Sequence, residues 1–163
     1  MTEIVAQPLT AEVFAPYGDV LEIAGAPDKI INQGLCGRYH DRAALDFGPG
    51  GRAGISLFNA EPRSLPYRLE MVERHPEGSQ AFVPIHLKPW LVVVAEPGDV
   101  PGPVHAFLAA SGQGINFHRG TWHGVLTPLH EPGLFAVVDR IGDTANLEEH
   151  WLETPAMIGG PRF

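Results

Sequence analysis

The sequence is short of sulfur, of lysine and of long apolar runs, and each shortage excludes something. One cysteine, Cys36, is present in 163 residues. No disulfide can therefore form within the chain, and no cysteine-based zinc site. Nothing beside Cys36 marks an activated thiol, so it is not expected to act as a nucleophile. The longest apolar run is WLVVVA, from Trp90 to Ala95, far too short to span a bilayer. The opening stretch MTEIVAQPLT has no basic segment leading into an apolar one, so no secretory leader is expected. Cations are scarce: Lys and Arg together number 11 against 19 Asp and Glu, a net charge of −8. With no Lys/Arg cluster, a nucleic-acid partner is not expected. An anionic small molecule would have to be held by a few placed cations against the overall field. These absences predict a soluble, cytoplasmic protein without repeats or low-complexity tracts.

Turns and apolar residues are what the chain has in quantity. Forty-four per cent of it is hydrophobic, enough for a sizeable core, and the length predicts one domain over residues 1–163. Gly 19 and Pro 16 favour many short elements joined by turns, hence an all-β fold with a few short helices. A helical turn is expected after Thr10, which can cap it, ending near Pro16 and Gly18. Asp46–Gly54, DFGPGGRAG, reads as a loop. Strands are expected in ISLFNAEP, YRLEMVERH, SQAFVPIHL, WLVVVAEPG, either side of Ser111-Gly112 within HAFLAASGQGINF, and in LFAVVDRIG. In YRLEMVERH, alternation places Leu69, Met71, Glu73 and His75 on one side and Glu70, Val72 and Arg74 on the other. The tail from Asn146, NLEEHWLETPAMIGGPRF, is expected to open as a short exposed acidic helix. Strands so short and so closely spaced predict a barrel or sandwich, and no long amphipathic helices are available for a parallel α/β fold.

Two short stretches carry residues suited to chemistry. In MVERHPEGSQAF, Glu73 and His75 share a strand face, the Pro-Glu-Gly-Ser turn reverses the chain, and Gln80 returns on the next strand. In HRGTWH, His123 follows a turn built on Gly120. Imidazole, carboxylate and amide groups brought together in this way can bind a metal or move a proton.

The two stretches resemble the two motifs of the cupin barrel, a double-stranded β-helix. Where the first cupin motif has His-x-His and then a carboxylate, this chain has Glu73, His75 and Gln80; in the second, Gly120 and His123 stand in place and His118 replaces a proline. Two of the usual ligand types are thus altered. INQGLCGRYHD, ERHPEGSQAFVPI, GQGINFHRGTWH and VVDR, in that order, resemble the ureidoglycolate lyase family, and the resemblance runs from about Ile4 to Asn146. One departure is Gly124, where members of the family often carry a second His. The resemblance implies a cupin-like, generally dimeric carbon–nitrogen lyase that splits (S)-ureidoglycolate into glyoxylate and urea in allantoin catabolism, with a divalent metal, nickel, attributed to it.

Such a reaction needs a base for the substrate hydroxyl, an acid for the departing nitrogen and a cation for the carboxylate. His75 and His123, with Glu73 beside them and Lys88, form the expected catalytic group. In a second version Glu73, His75, Gln80 and His123 form a metal set, mixed N/O donors that suit nickel, zinc or manganese; the residues do not decide between this and a metal-free site. Substrate contacts are expected from Lys88, Arg38, His118, Gln80 and Asn116; Arg38 could serve its own pocket or a partner's across a dimer. Arg119 and Arg140 are weaker candidates for the carboxylate, since alternation beside His118 and Asp139 could turn them outward. Asn116 has a plainer alternative, as a buried polar group tied to backbone, and Trp122 could wall the pocket mouth. The other histidines, His86, His105, His130 and His150, are expected to be solvated. The residue pattern leaves other functions open on the same barrel: a metal-dependent oxygenase or isomerase, a non-catalytic small-molecule-binding cupin, or true hydrolysis with release of ammonia and carbon dioxide.

Overall fold

A computed structural model describes residues 1–161; the last two residues of the tail, and of the expected domain, lie outside the described residues. The chain is nearly all β. In order the elements are β1 (Thr2–Val5), β2 (Gln7–Pro8), α1 (Ala11–Phe14), β3 (Gly18–Leu21), β4 (Lys29–Ile31), β5 (Cys36–Arg38), β6 (Arg52–Asn59), β7 (Tyr67–Arg74), β8 (Gln80–Pro84), β9 (Trp90–Ala95), β10 (Val104–Ala109), β11 (Gly114–Phe117), β12 (Trp122–His123), β13 (Thr127–Pro128), β14 (Leu134–Ile141) and β15 (Glu148–Gly159). The single helical turn starts where the sequence places it, with Thr10 Oγ1 accepting from the Val13 N–H at 3.2 Å, which satisfies one of the free donors at the helix start.

Two sheets make the cupin-like barrel. The larger runs β1-β15-β7-β12-β9-β10-β2, with β13 also on β9, and the smaller runs β3-β11-β8-β14-β6; β4 and β5 form a separate hairpin. β9 explains how the core is built. Its continuous apolar run is buried on both faces, as such a run requires. Trp90, Val92 and Val94 point into the barrel with Phe14, Phe82, Phe107, Ile115, Phe117, Phe135 and Val137. Leu91, Val93 and Ala95 point the other way, into a second core with Leu69, Val72, Trp122, Ala156 and Ile158. Turning a Leu or Val of this strand into Ala would cost about 2–4 kcal/mol, because neither face can collapse onto water.

Three local expectations give way. The tail from Glu148 is no helix: it forms the longest strand, β15, paired antiparallel with β7, because Leu152, Ala156 and Ile158 find apolar neighbours only in extended form. The alternation expected along β7 breaks, since Leu69 and Val72 both enter the second core. The pairing opposite them is interrupted between Trp151 and Ala156, and such an irregularity re-aims the side chains that follow. It leaves Glu73 on the opposite face from Val72. Finally, β6 begins at Arg52, inside the stretch read as loop, because Arg52–Gly54 pair with Asp139–Ile141.

Candidate active site

Glu73 lies one residue before the end of β7, in register with His123 of β12 on one side and Glu149 of β15 on the other. Gln80 starts β8 in the facing sheet, in register with Phe117 of β11 and Asp139 of β14. The two rows meet at one end of the barrel. His75 stands between them, on the connection that carries the chain from one sheet to the other. The turn of the second motif holds this connection in place: the Gly120 N–H donates to His75 O at 3.0 Å, and Arg119 Nε donates to Pro76 O at 2.6 Å. The two motifs are thus tied through backbone atoms before any ligand is considered.

The side chains converge. Ligand atoms of Glu73, His75 and His123 all lie within 4.8 Å of one another, and the two imidazole centroids are 5.2 Å apart. Each ring has its orientation fixed from behind. His75 Nδ1 donates to Asn146 O at 2.9 Å and His123 Nδ1 donates to Gly124 O at 2.9 Å. A carbonyl can only accept, so both Nδ1 atoms carry the proton and both Nε2 atoms present lone pairs. Phe117 stacks flat on His123, with centroids 4.2 Å apart. Gln80 Nε2 donates to Asp139 Oδ2 at 3.1 Å, which turns its Oε1 the other way. His75 Nε2, His123 Nε2 and Gln80 Oε1 are all buried and without a hydrogen-bond partner.

Burial shapes the electrostatics. His123 is 2 % exposed, and desolvation, then the neighbouring His75, push its pKa down to about 3, against the raising effect of its bond to Gly124. It is a neutral imidazole at physiological pH. Desolvation also raises the Glu73 carboxyl above its usual value, opposed by His75 and reinforced by Glu149. Beside this cluster opens a cavity of about 340 Å3, lined by Glu73, His75, Gln80, Asp139, Arg140 and the loop from Gly142 to Leu147.

The other expected site residues lie elsewhere. Lys88 is exposed, past the end of β8 that is remote from Gln80, and Arg38 is exposed on the β4–β5 hairpin. Neither lines the cavity. Asn116 is fully buried but points out of the barrel, since its neighbours Ile115 and Phe117 point in. Its Nδ2 donates to Asp19 Oδ2 at 3.0 Å and to Ala44 O at 3.1 Å. His118 Nε2 sits 3.1 Å from the same Asp19 oxygen, close enough to pair as an ion but off the hydrogen-bonding direction. Trp122 is buried in the second core, with Arg74 4.3 Å above its ring. His86 is half-buried rather than solvated, edge-on to Phe135, and burial lowers its pKa.

Two residues of the cavity carried little or no weight in the sequence. Arg140, a weaker candidate that alternation could turn outward, lines the cavity, because β14 stops at Ile141 and Gly142 bends the chain back over the guanidinium. Asn146 has a left-handed backbone, φ 46°, which an Asn tolerates better than most residues. That conformation lets its carbonyl meet His75 while its Oδ1 accepts from the Glu77 N–H at 2.7 Å. The asparagine itself was the available signal: a lone Asn after Asp143-Thr144-Ala145 invites a positive-φ turn.

Backbone-tethered imidazoles facing a carboxylate and an amide, at the mouth of a cupin-like barrel, make a candidate small-molecule site whose Glu73, His75 and His123 are grouped as metal ligands can be. The sequence comparisons make the class specific. The family model described as ureidoglycolate lyase matches residues 1–159. A ureidoglycolate lyase of Rhodobacter capsulatus is 56 % identical over 161 residues, covering 98 % of this chain and 100 % of that protein. One of Mesorhizobium japonicum is 54 % identical, covering 91 % and 93 %, and one of Pseudomonas aeruginosa is 47 % identical, covering 93 % and 91 %. The chain belongs to the ureidoglycolate lyase family, a family of enzymes. Among the described residues no helix is long and apolar enough to cross a membrane.

Proposed function

We propose that this chain splits (S)-ureidoglycolate into glyoxylate and urea as a cytoplasmic enzyme, a step in purine breakdown through allantoin. The observation that carries this reading is the meeting of three unpartnered buried acceptors, His75 Nε2, His123 Nε2 and Gln80 Oε1, with a protonatable Glu73. Acceptors buried without donors are costly unless a proton or a cation joins them.

The chemistry follows from those groups. An imidazole Nε2 takes the proton of the substrate hydroxyl. The oxygen's electron pair forms the carbonyl of glyoxylate, and the C–N bond breaks with its pair on nitrogen. Glu73, with its raised pKa, gives that nitrogen a proton, and urea departs. Return of the proton from imidazole to Glu73, 4.8 Å or less away, resets the site. Phe117 and the burial of His123 keep water from the reacting atoms.

The donor set also fits a divalent cation, nickel by the family resemblance: Glu73, His75, His123 and Gln80 would hold it, and it would supply Lewis acidity to the substrate's hydroxyl and carboxylate oxygens. Glu73 serves as ligand when an ion is held and as proton donor when none is. The homodimer implied by the resemblance is supported by β6, which among the described residues pairs with β14 alone and carries Ile55 and Leu57 at 75 % and 76 % exposure, with Val83 and Ile85 exposed beyond β14 in the same sheet. An unpaired apolar edge can pair with its own copy about a two-fold axis. Leu57→Glu should then shift the sedimenting species to monomer.

The test is product analysis on fresh (S)-ureidoglycolate, with metal-stripped protein and with nickel restored, against His75→Ala because the substrate also decays unaided. Urea and glyoxylate in equal amounts, above that control, are expected. The response to nickel decides which role Glu73 plays. No acceleration in either form would overturn the lyase reading and favour a binding cupin.

A further inference from the structure

We propose that Arg140 is the cation that receives the substrate's carboxylate, through its free Nη2. This deepens the lyase reading and rests on it. The cavity beside the reacting groups already holds Glu73 and Asp139, in a chain of net charge −8. An anionic substrate entering it needs a placed cation. Among the described residues that line this cavity, Arg140 is the one Lys or Arg.

Its guanidinium is held ready. Nη1 donates to Phe47 O and, at 3.1 Å, to Pro49 O, so one end of the fork is anchored to the loop before β6. A Cβ on Gly142 would lie 2.9 Å from Nη2 and 3.0 Å from Nε, so glycine there is what lets the backbone pass close to the group without pushing it aside. Nε is buried with no partner, and no acceptor among the described residues takes Nη2. Among the described residues no carboxylate pairs with Arg140 either, although Asp139 precedes it in the chain and faces Gln80 instead. An arginine whose own partners are two neutral carbonyls keeps its full charge for a ligand. Lys88 and Arg38, by contrast, are exposed and outside the cavity.

The experiment uses the whole protein and product inhibition by two uncharged-versus-charged probes, urea and glyoxylate. Arg140→Gln should raise KM for ureidoglycolate and weaken glyoxylate inhibition by about 10- to 100-fold, as expected for loss of a charge-assisted contact, while urea inhibition stays within about twofold. Equal weakening of both inhibitors would show that Arg140 only supports the loops, and unchanged glyoxylate inhibition would place the carboxylate elsewhere; either result overturns the proposal. If the wild type shows no turnover, the lyase reading fails, and direct calorimetric binding of glyoxylate to wild type and Arg140→Gln still decides the role of Arg140. If Arg140→Gln does not fold, wild-type crystals soaked in glyoxylate decide it. A carboxylate within about 3 Å of Nη2 is expected, and a carboxylate ordered against any other residue overturns the assignment.

Discussion

Two polar clusters in this molecule have almost the same composition and opposite characters. One is Glu73, His75, Gln80 and His123 at the barrel mouth; the other is Asp19, Asn116 and His118 on the outer side of the smaller sheet. Each has imidazole, carboxylate and amide. In the outer cluster donors face an acceptor: the Ala44 N–H, Asn116 Nδ2 and His118 Nε2 all approach one oxygen of Asp19. Burial pushes the Asp19 pKa up, but those contacts more than offset it and hold the carboxyl below its usual value. In the inner cluster acceptors face acceptors, with both Nδ1 protons committed to backbone carbonyls behind. The first arrangement leaves Asn116 Oδ1 without a donor and His118 Nε2 off the hydrogen-bonding direction, but its carboxylate is met by donors. The second is complete only with a proton, a cation or a substrate. What separates the two clusters is what the carboxylate and imidazoles face, donors in one and acceptors in the other, not the kinds of residue.

The largest effect should come from removing an inner imidazole. His75→Ala is expected to lower kcat/KM by about 10²- to 10⁴-fold, the range for loss of a positioned acid–base group, with little loss of folding stability because His75 is only half-buried. In the outer cluster the pattern should invert. Asp19→Ala should cost about 1–3 kcal/mol in urea melts, since it strands the Asn116 amide and the Ala44 N–H, while kcat/KM stays within about twofold. Steady-state kinetics and denaturation on the same two variants test the contrast, and a strong rate loss in Asp19→Ala would erase it.

The next effect is on pH dependence. His123 titrates near 6.5 when unfolded but only near 3 when folded. Above pH 6.5 it is neutral in both states and contributes no slope. As pH falls below that, the unfolded chain binds a proton that the folded one refuses, so stability drops down to about pH 3. Other groups also contribute to acid unfolding, so the quantity to measure is the difference between the metal-free wild type and His123→Gln. The variant should show the shallower decline. Equal slopes would mean that His123 is not buried as a neutral ring.

These contrasts also show what could be read in the sequence. The β-rich barrel was legible because Gly, Pro and short apolar runs are local signals, and WLVVVA announces a strand buried on both faces. Glu73, His75, Gln80 and His123 were legible because each sits at a fixed offset from a turn. The carboxylate side of the cavity was not. Lys88 attracts attention as one of two lysines, yet nothing local tells that it lies at the far end of β8. Arg140 is turned into the cavity by a bend after its strand, and alternation alone cannot register a bend. Asn116 occupies a barrel strand, and whether it faces in or out depends on which neighbours are apolar on both sides. The tail misled for a similar reason: NLEEH has helical charge patterning, but β7 offers it an edge and the second core receives Leu152, Ala156 and Ile158.

A smaller effect should come from Asn146, which acts through His75 and not on the substrate. Its carbonyl fixes the His75 tautomer, and its side chain holds Glu77, so the whole loop leans on a left-handed residue. Asn146→Gly keeps the backbone conformation and the carbonyl but loses the side-chain bond. Asn146→Ala loses that bond and also strains the backbone, by about 1 kcal/mol. Graded losses of kcat are therefore expected, about threefold for Gly and about tenfold for Ala, with KM nearly unchanged in both. Nitrogen NMR of His75 should still report the Nδ1–H tautomer in Asn146→Gly and a mixture in Asn146→Ala. Identical spectra with unequal rates would mean that the loop serves the substrate directly, and the inner cluster would then owe its readiness to something other than the carbonyl behind each ring.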